Sequence, residues 1–217
     1  MNKITAVVFD LWNTLIPFPD ELKMRAFQET TLALGVEPVA FKEVWSRTRI
    51  KRETGDLLTY FHWLRHEINA DWSEEKIQNA MNIRKKIHGS AFLTPDSDAV
   101  EVLKELKRRG YKLALISNCS SDVKEMISTS IISSYISDLI LSAEVGIMKP
   151  DQKVFQCAAT HLGLQCEYCI YIGDGHDNEL EGAKKSGMHS ILIDRGNQIK
   201  WQGDRIQRLS SLLQKVE

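Results

Sequence analysis

Val7-Val8-Phe9-Asp10-Leu11-Trp12-Asn13-Thr14-Leu15 runs three consecutive apolar residues into an acid. An unbroken apolar run, unlike an alternating one, is the pattern of a strand buried on both faces of a parallel sheet. Open α/β sheets hold their ligands outside the carboxyl ends of such strands, so Asp10 stands where chemistry is expected. An acid at a strand exit also serves as an ordinary turn former, and this stretch alone leaves both readings open.

Working outward, four further short apolar runs read as strands: Leu113 to Ser117, Asp138 to Leu141, Cys169 to Ile172 and Ser190 to Ile193, after Ala6 to Phe9 as the first. Helical patterns separate them. Asp98 to Arg109 carries Val100, Leu103 and Leu106 and stops at Gly110; Lys149 to Leu162 carries Val154, Phe155 and Ala158 and stops at Gly163; Asn178 to Ser186 stops at Gly187. Strands alternating with helices of this length imply parallel pairing, hence an α/β fold with a doubly wound parallel sheet. Residues 17–92 break the alternation with at least three helical patterns, punctuated by Gly35 with Pro38, Gly55 with Asp56, and Asp71 to Ser73. This stretch reads as an inserted helical unit that returns at the turn sequence Thr94-Pro95-Asp96.

Later segments remove the ambiguity at Asp10. Leu113-Ala114-Leu115-Ile116-Ser117-Asn118 ends a second strand in a hydroxyl, Met148-Lys149-Pro150 places a lysine before a helix, and Gly173-Asp174-Gly175-His176-Asp177-Asn178-Glu179 follows a further strand with acids. In this order the four segments resemble the four motifs of the haloacid dehalogenase (HAD) superfamily. The resemblance implies a Rossmann-like core over residues 1–16 and 93–217 and an α-helical cap over 17–92. It implies Asp10 as nucleophile and Lys149 as its catalytic partner, with Thr14, Ser117, Asn118 and Lys149 binding substrate. Mg2+ would be held by Asp10, the Trp12 carbonyl and Asp174. Magnesium suits a few carboxylates plus substrate oxygens and water, and donors at Ser117, Asn118 and Lys149 suit a transferring group that gathers negative charge.

One position departs from the family pattern. Trp12 stands where its phosphatases carry a second Asp, the residue implied to protonate the leaving group and later to activate water. An indole N–H gives up no proton near neutral pH, and losing general acid–base help costs about 10² to 10⁴ in rate. Asp177, His176 and Glu53 are candidates to supply another acid. A second escape is a leaving group that needs no proton: halide, as in the superfamily's 2-haloacid dehalogenases, which also lack that Asp. A third is a catalytically idle metabolite-binding protein. Retention of Gly173-Asp174 favours the metal-dependent phosphatase, acting on a small phosphorylated metabolite through an aspartyl intermediate. The last acid, Glu179, is one methylene longer than the usual Asp and would orient Lys149 or a metal-bound water.

At 217 residues and 43% hydrophobic content the chain can fill one substantial core. Its 28 basic and 29 acidic residues give no electrostatic case for nucleic acid or an anionic membrane. The early first strand leaves no room for a signal peptide and no apolar run reaches membrane-spanning length, so a cytoplasmic protein is expected. Cys119, Cys157, Cys166 and Cys169 fit reduced thiols, and the Cys166/Cys169 half-site has no matching second pair. His62 and His66 stand one helical turn apart, but Phe61, Trp63 and Leu64 beside them favour a packed or surface helix over zinc. The basic stretch from Trp45 to Arg52 reads as a solvated helix face, with guanidinium groups over the site as the alternative.

Overall fold

The computed structural model describes residues 3–196 and 198–216. Six strands form one parallel sheet: β1 (Ala6–Asp10), β2 (Lys112–Ser117), β3 (Asp138–Leu141), β4 (Cys169–Gly173), β5 (His189–Ile193) and β6 (Asp204–Ile206), in the order β3-β2-β1-β4-β5-β6. Alternate residues of a strand face opposite sides of the sheet. Val7 and Phe9 therefore enter one apolar cluster, and Ala6 and Val8 enter another. Both faces of β1 are covered, which is why its sequence is apolar throughout.

The doubly wound parallel sheet inferred above is present, with one strand more than the sequence reveals. β6 has three residues, of which only Ile206 is buried, so it leaves no apolar run to read. Around the sheet pack α6 (Ala99–Arg108), α7 (Val123–Thr129), α9 (Gln152–His161), α10 (Glu179–Ser186) and α11 (Leu212–Lys215), with a single turn, α8 (Ser142–Val145), after β3. The helix expected from Lys149 begins three residues later. Asp151 caps it, its side chain accepting from Lys153 N at 2.9 Å, and leaves Lys149-Pro150 as an entering turn joined by a cis peptide bond.

All strands lie outside residues 17–92, which form five helices: α1 (Asp20–Ala33), α2 (Pro38–Arg47), α3 (Arg49–Glu53), α4 (Leu57–Glu67) and α5 (Glu74–Ala91). Their boundaries follow ordinary capping chemistry. Glu37, Asp56 and Ser73 each accept from a backbone N–H of the first turn they precede, at 2.9, 2.8 and 3.2 Å. These helices enclose their own apolar cluster, which includes Leu34, Phe41, Tyr60, Phe61, Leu64, Trp72 and Ile77. Polar contacts join them to the segments that follow β2 and β3: Leu57 N donates to Ser121 Oγ (2.9 Å), Ser142 Oγ to the Glu53 carbonyl (2.6 Å), and Lys85 pairs with Glu125 (2.6 Å). Among the described residues no helix is long and apolar enough to cross a membrane.

Candidate active site

Strand order places the site. The chain runs from β1 outward to β3 and then returns to β4 on the other side of β1, so the carboxyl ends of β1, β2 and β4 open a crevice between diverging connections. Parallel register sets Asp10 level with Ile116 and Phe9 level with Ile172, bringing Asp10, Ser117 and Gly173-Asp174 to one edge. A cavity of about 350 Å³ lies there, lined by Asp10, Trp12, Asn118, Lys149, Asp174 and Glu179 together with helices of residues 17–92.

Lys149 is the hub of the buried charges. Its Nζ donates to Asp10 Oδ1 (2.5 Å), Glu179 Oε2 (2.5 Å) and Tyr171 Oη (3.0 Å). Thr14 Oγ1 donates to the other Asp10 oxygen at 3.0 Å. Burial would lower the Lys149 pKa, but the two carboxylates raise it above the usual lysine range, so its ammonium is charged. Asp10 moves the other way from an ordinary carboxylate. Burial raises its pKa strongly, and the flanking charges of Glu179 and Asp174 add to the rise against the opposing effect of Lys149. Asp10, Asp174 and Glu179 offer carboxylate oxygens within 4.8 Å of one another. This is an excess of hard negative donors that a divalent cation would relieve.

Glu179 fits because of Gly173. A Cβ at Gly173 would stand 1.9 Å from Glu179 Oε1, so only glycine lets that carboxylate lie across the strand end. There Oε1 also accepts from Gly175 N at 3.1 Å. From there the other oxygen, Oε2, accepts from Lys149 Nζ. Tyr171, whose Oη donates to Glu179 Oε2 at 2.7 Å, was missed by sequence reading. Its signal was a polar tip inside an otherwise apolar strand.

The loop after β1 is pinned on several sides. Asn13, in the left-handed region at φ 57°, accepts from Phe18 N through Oδ1 (2.9 Å) and donates to Asp174 Oδ2 through Nδ2 (3.2 Å). Arg195 donates to the carbonyls of Asn13 and Thr14 at 3.2 and 3.3 Å, and sequence reading had marked neither Asn13 nor Arg195. The Trp12 indole packs on Phe18, Phe92 and His88, with ring centroids 4.5, 5.5 and 5.9 Å away. An aromatic cluster therefore occupies the place an acid would need.

The remaining sequence candidates divide. Asn118 reaches the cavity, where its Nδ2 donates to the Lys149 carbonyl (3.1 Å) and to Asp177 Oδ2 (3.0 Å), and its Oδ1 accepts from Lys149 N (2.8 Å). Ser117 and Thr14 are fully buried and do not line it. The Thr14 hydroxyl holds Asp10 in place of a substrate, whereas Ser117 Oγ has no hydrogen-bond partner. Asp177 is unsuited to be a proton donor. Burial would raise its pKa, but two bonds from Arg49 (2.7 and 2.6 Å) outweigh that and hold it at about 2. Glu53 is likewise clasped by Arg49 (3.0 Å) and Arg52 (3.3 Å). His176 lines the cavity with Nδ1 3.0 Å from Asp174 Oδ2.

The basic stretch from Trp45 to Arg52 is not a single solvated face. It breaks at Thr48, which leaves Arg47 and Lys51 exposed and turns Arg49 and the buried Arg52 into the cavity wall. His62 meets Glu74 (2.8 Å), His66 is exposed, and all four cysteines are free.

Comparison with known proteins places the chain among hydrolases. A glyceraldehyde 3-phosphate phosphatase of Methanopyrus kandleri is 29% identical over 200 residues, covering 89% of this chain and 85% of that protein. An (S)-2-haloacid dehalogenase 4A of Burkholderia cepacia is 26% identical over 209 residues, covering 90% and 85%. The crystal structure of a HAD phosphatase from Thermococcus onnurineus superposes with a TM-score of 0.71 at 18% identity over 98% of each chain, a likeness of fold. The sequence profile of haloacid dehalogenase-like hydrolases matches residues 7–193, continuously from β1 to the end of β5, and the chain belongs to that family of hydrolases.

Proposed function

We propose that this hydrolase is a magnesium-dependent phosphatase that acts in the cytoplasm on a small phosphorylated metabolite, with residues 17–92 as a cap over its site. The observation that carries the reading is the convergence of Asp10, Lys149 and Asp174 at the carboxyl edge of the sheet, with acidic oxygens in excess over the lysine. That excess suits a divalent cation, and an anionic phosphoryl group can approach an anionic nucleophile only where a cation beside Lys149 supplies countercharge. A carbon–halogen bond makes no such demand.

Asp10 attacks phosphorus through a carboxylate oxygen, forming an acyl phosphate as the bond to the leaving oxygen breaks. Water then cleaves that intermediate to release phosphate and restore the carboxylate. Thr14 fixes the Asp10 rotamer from one side and Lys149 from the other. The Lys149 ammonium, aligned by Glu179 and Tyr171, supports the negative charge that gathers on the transferring oxygens. The hard-oxygen donor set suits Mg2+, with Asp10, Asp174 and the Trp12 carbonyl as the residues to hold it. When bound, the ion would neutralise substrate charge and keep Asp10 ionised.

The aromatic packing of Trp12 favours a second reading, a 2-haloacid dehalogenase, because halide departs without a proton. One set of assays separates the two. Phosphate esters and 2-haloacids are offered with and without magnesium, to the native chain and to Asp10→Asn. Phosphate release that needs magnesium and is abolished in a folded Asp10→Asn protein is expected, as is magnesium binding weakened by an order of magnitude or more in Asp174→Ala, roughly the loss of one of few carboxylate ligands. Metal-independent halide release with no calorimetric magnesium binding would transfer the assignment to the dehalogenase.

A further inference from the structure

The cavity wall opposite the sheet carries charge that the chemistry at Asp10 does not use. Arg52 of α3 and Arg84 of α5 both line it, though only 5% and 8% of each residue is exposed. Both lie against the same indole, the Arg52 guanidinium 4.1 Å and that of Arg84 5.9 Å from the Trp45 ring centroid.

Their countercharge is thin. Arg52 donates to the Trp45 carbonyl (2.7 Å) and to Glu53 (3.3 Å), but Glu53 is shared with Arg49. Arg84 donates to Ser120 Oγ (3.0 Å), and its nearest carboxylate, Asp122, stands 4.0 Å away. The Nε of each arginine is buried without a hydrogen-bond partner. The positive field is felt next door, where burial, followed by Arg84 and Arg52, pushes the pKa of His88 well below the ordinary histidine value. A stack that merely joined α2, α3 and α5 would account for Arg52 on its ring. It would not explain a second buried guanidinium, poorly paired, on the wall of a cavity. Buried charge of this kind is costly until an anion with two acceptor oxygens meets it, and guanidinium groups match carboxylate and phosphate in that geometry.

We infer that Arg52 and Arg84 form a subsite for a second anionic group of the substrate, a carboxylate or a second phosphate, carried by the same small molecule whose phosphoryl group meets Asp10. The inference rests on the phosphatase reading for what happens at Asp10, but not for what binds at the arginines. It defines the substrate class as phosphate esters with an anionic far end, and separates them from esters ending in a neutral hydroxyl.

The test uses matched short-chain monophosphates that differ only in the far group: carboxylate, second phosphate or hydroxymethyl. Hydrogen bonds to charged groups of this kind correspond to about 10- to 150-fold, so kcat/KM should favour at least one anionic ester over the hydroxymethyl ester by about that ratio. Which anionic ester leads tells carboxylate from phosphate. The ratio should collapse towards unity in Arg84→Gln and persist in part in Arg84→Lys, with circular dichroism checking that both variants fold. Calorimetric binding of the same esters to Asp10→Asn supplies a readout free of turnover. Anion-selective, Arg84-dependent binding without hydrolysis by the native protein would sustain the subsite while removing the phosphatase reading. Native turnover that ignores the far group would overturn the subsite and leave the phosphatase reading standing, whereas binding that ignores it without turnover would overturn both. Failure of every ester to bind would overturn both.

Discussion

Replacing Gly173 with alanine tests the link between the strand-end glycine and the charge hub. The new Cβ would lie 1.9 Å from Glu179 Oε1 and 2.7 Å from its Cδ, with Tyr171 Cε1 at 3.1 Å on another side. The carboxylate must withdraw by more than an ångström to restore a tolerable contact. Its bonds to Lys149 (2.5 Å), Tyr171 (2.7 Å) and Gly175 N (3.1 Å) leave no slack for that movement. Breaking a buried ion pair costs about 3–5 kcal/mol, and the lower end applies because Asp10 still neutralises Lys149. For a chain of this size each kcal/mol lowers Tm by about 2–4 °C, so Gly173→Ala should melt about 6–12 °C below the native protein. Its kcat should fall as well, because Lys149 loses the partner that aligns it. Thermal unfolding followed by circular dichroism and steady-state phosphate release provide the two readings. Glu179→Asp in the Gly173→Ala background supplies a shorter acid that clears the Cβ, and should recover part of the lost Tm. An unchanged Tm and kcat/KM in Gly173→Ala would refute the reasoning. So would a double variant whose losses are the simple sum of the single ones, since residues in contact should couple.

Two further outcomes follow from the loop and the seam between the helices and the sheet. In the native protein, phosphates with good leaving groups should react faster than alkyl phosphates, and Trp12→Asp should raise the alkyl rate by up to about 10²- to 10⁴-fold while lowering Tm through lost contact with Phe18 and Phe92. Rates independent of leaving-group pKa, with chemistry rate-limiting, would instead reveal another acid at work. Asp177→Asn removes the charge pair with Arg49, partly exposed and so amounting to about 1 kcal/mol, and should raise KM and speed proteolysis within residues 17–92. Because the Asp177 pKa is depressed to about 2, its pairing contributes fully above the ordinary carboxylate range and is lost as pH falls through about 2. Identical proteolysis of native and Asp177→Asn protein at neutral pH would deny this contact a role in closure.

The sequence by itself determined the elements whose burial is two-sided. Strands β1 to β5 are apolar because both faces are covered, and the acids and hydroxyl at Asp10, Ser117 and Asp174 stand out because they end such runs. Strand β6 escaped notice because pairing on one edge asks little of its side chains. Whether Glu179 could serve Lys149 was decided only in the tertiary structure, by the missing Cβ of Gly173, a contact between the end of one strand and the helix that follows it. The Thr14 hydroxyl turned out to hold Asp10 and not to line the cavity, a matter of loop path that spacing does not encode. The largest revision concerns the basic stretch after Trp45. Charge on a helix reads as solvated by default, and only the break at Thr48 and the packing of α2 and α3 carry Arg49 and Arg52 into the cavity wall, where α5 adds Arg84 from outside that stretch. Local sequence records what each residue prefers, whereas the meeting of distant side chains depends on how helices pack, which no periodicity states.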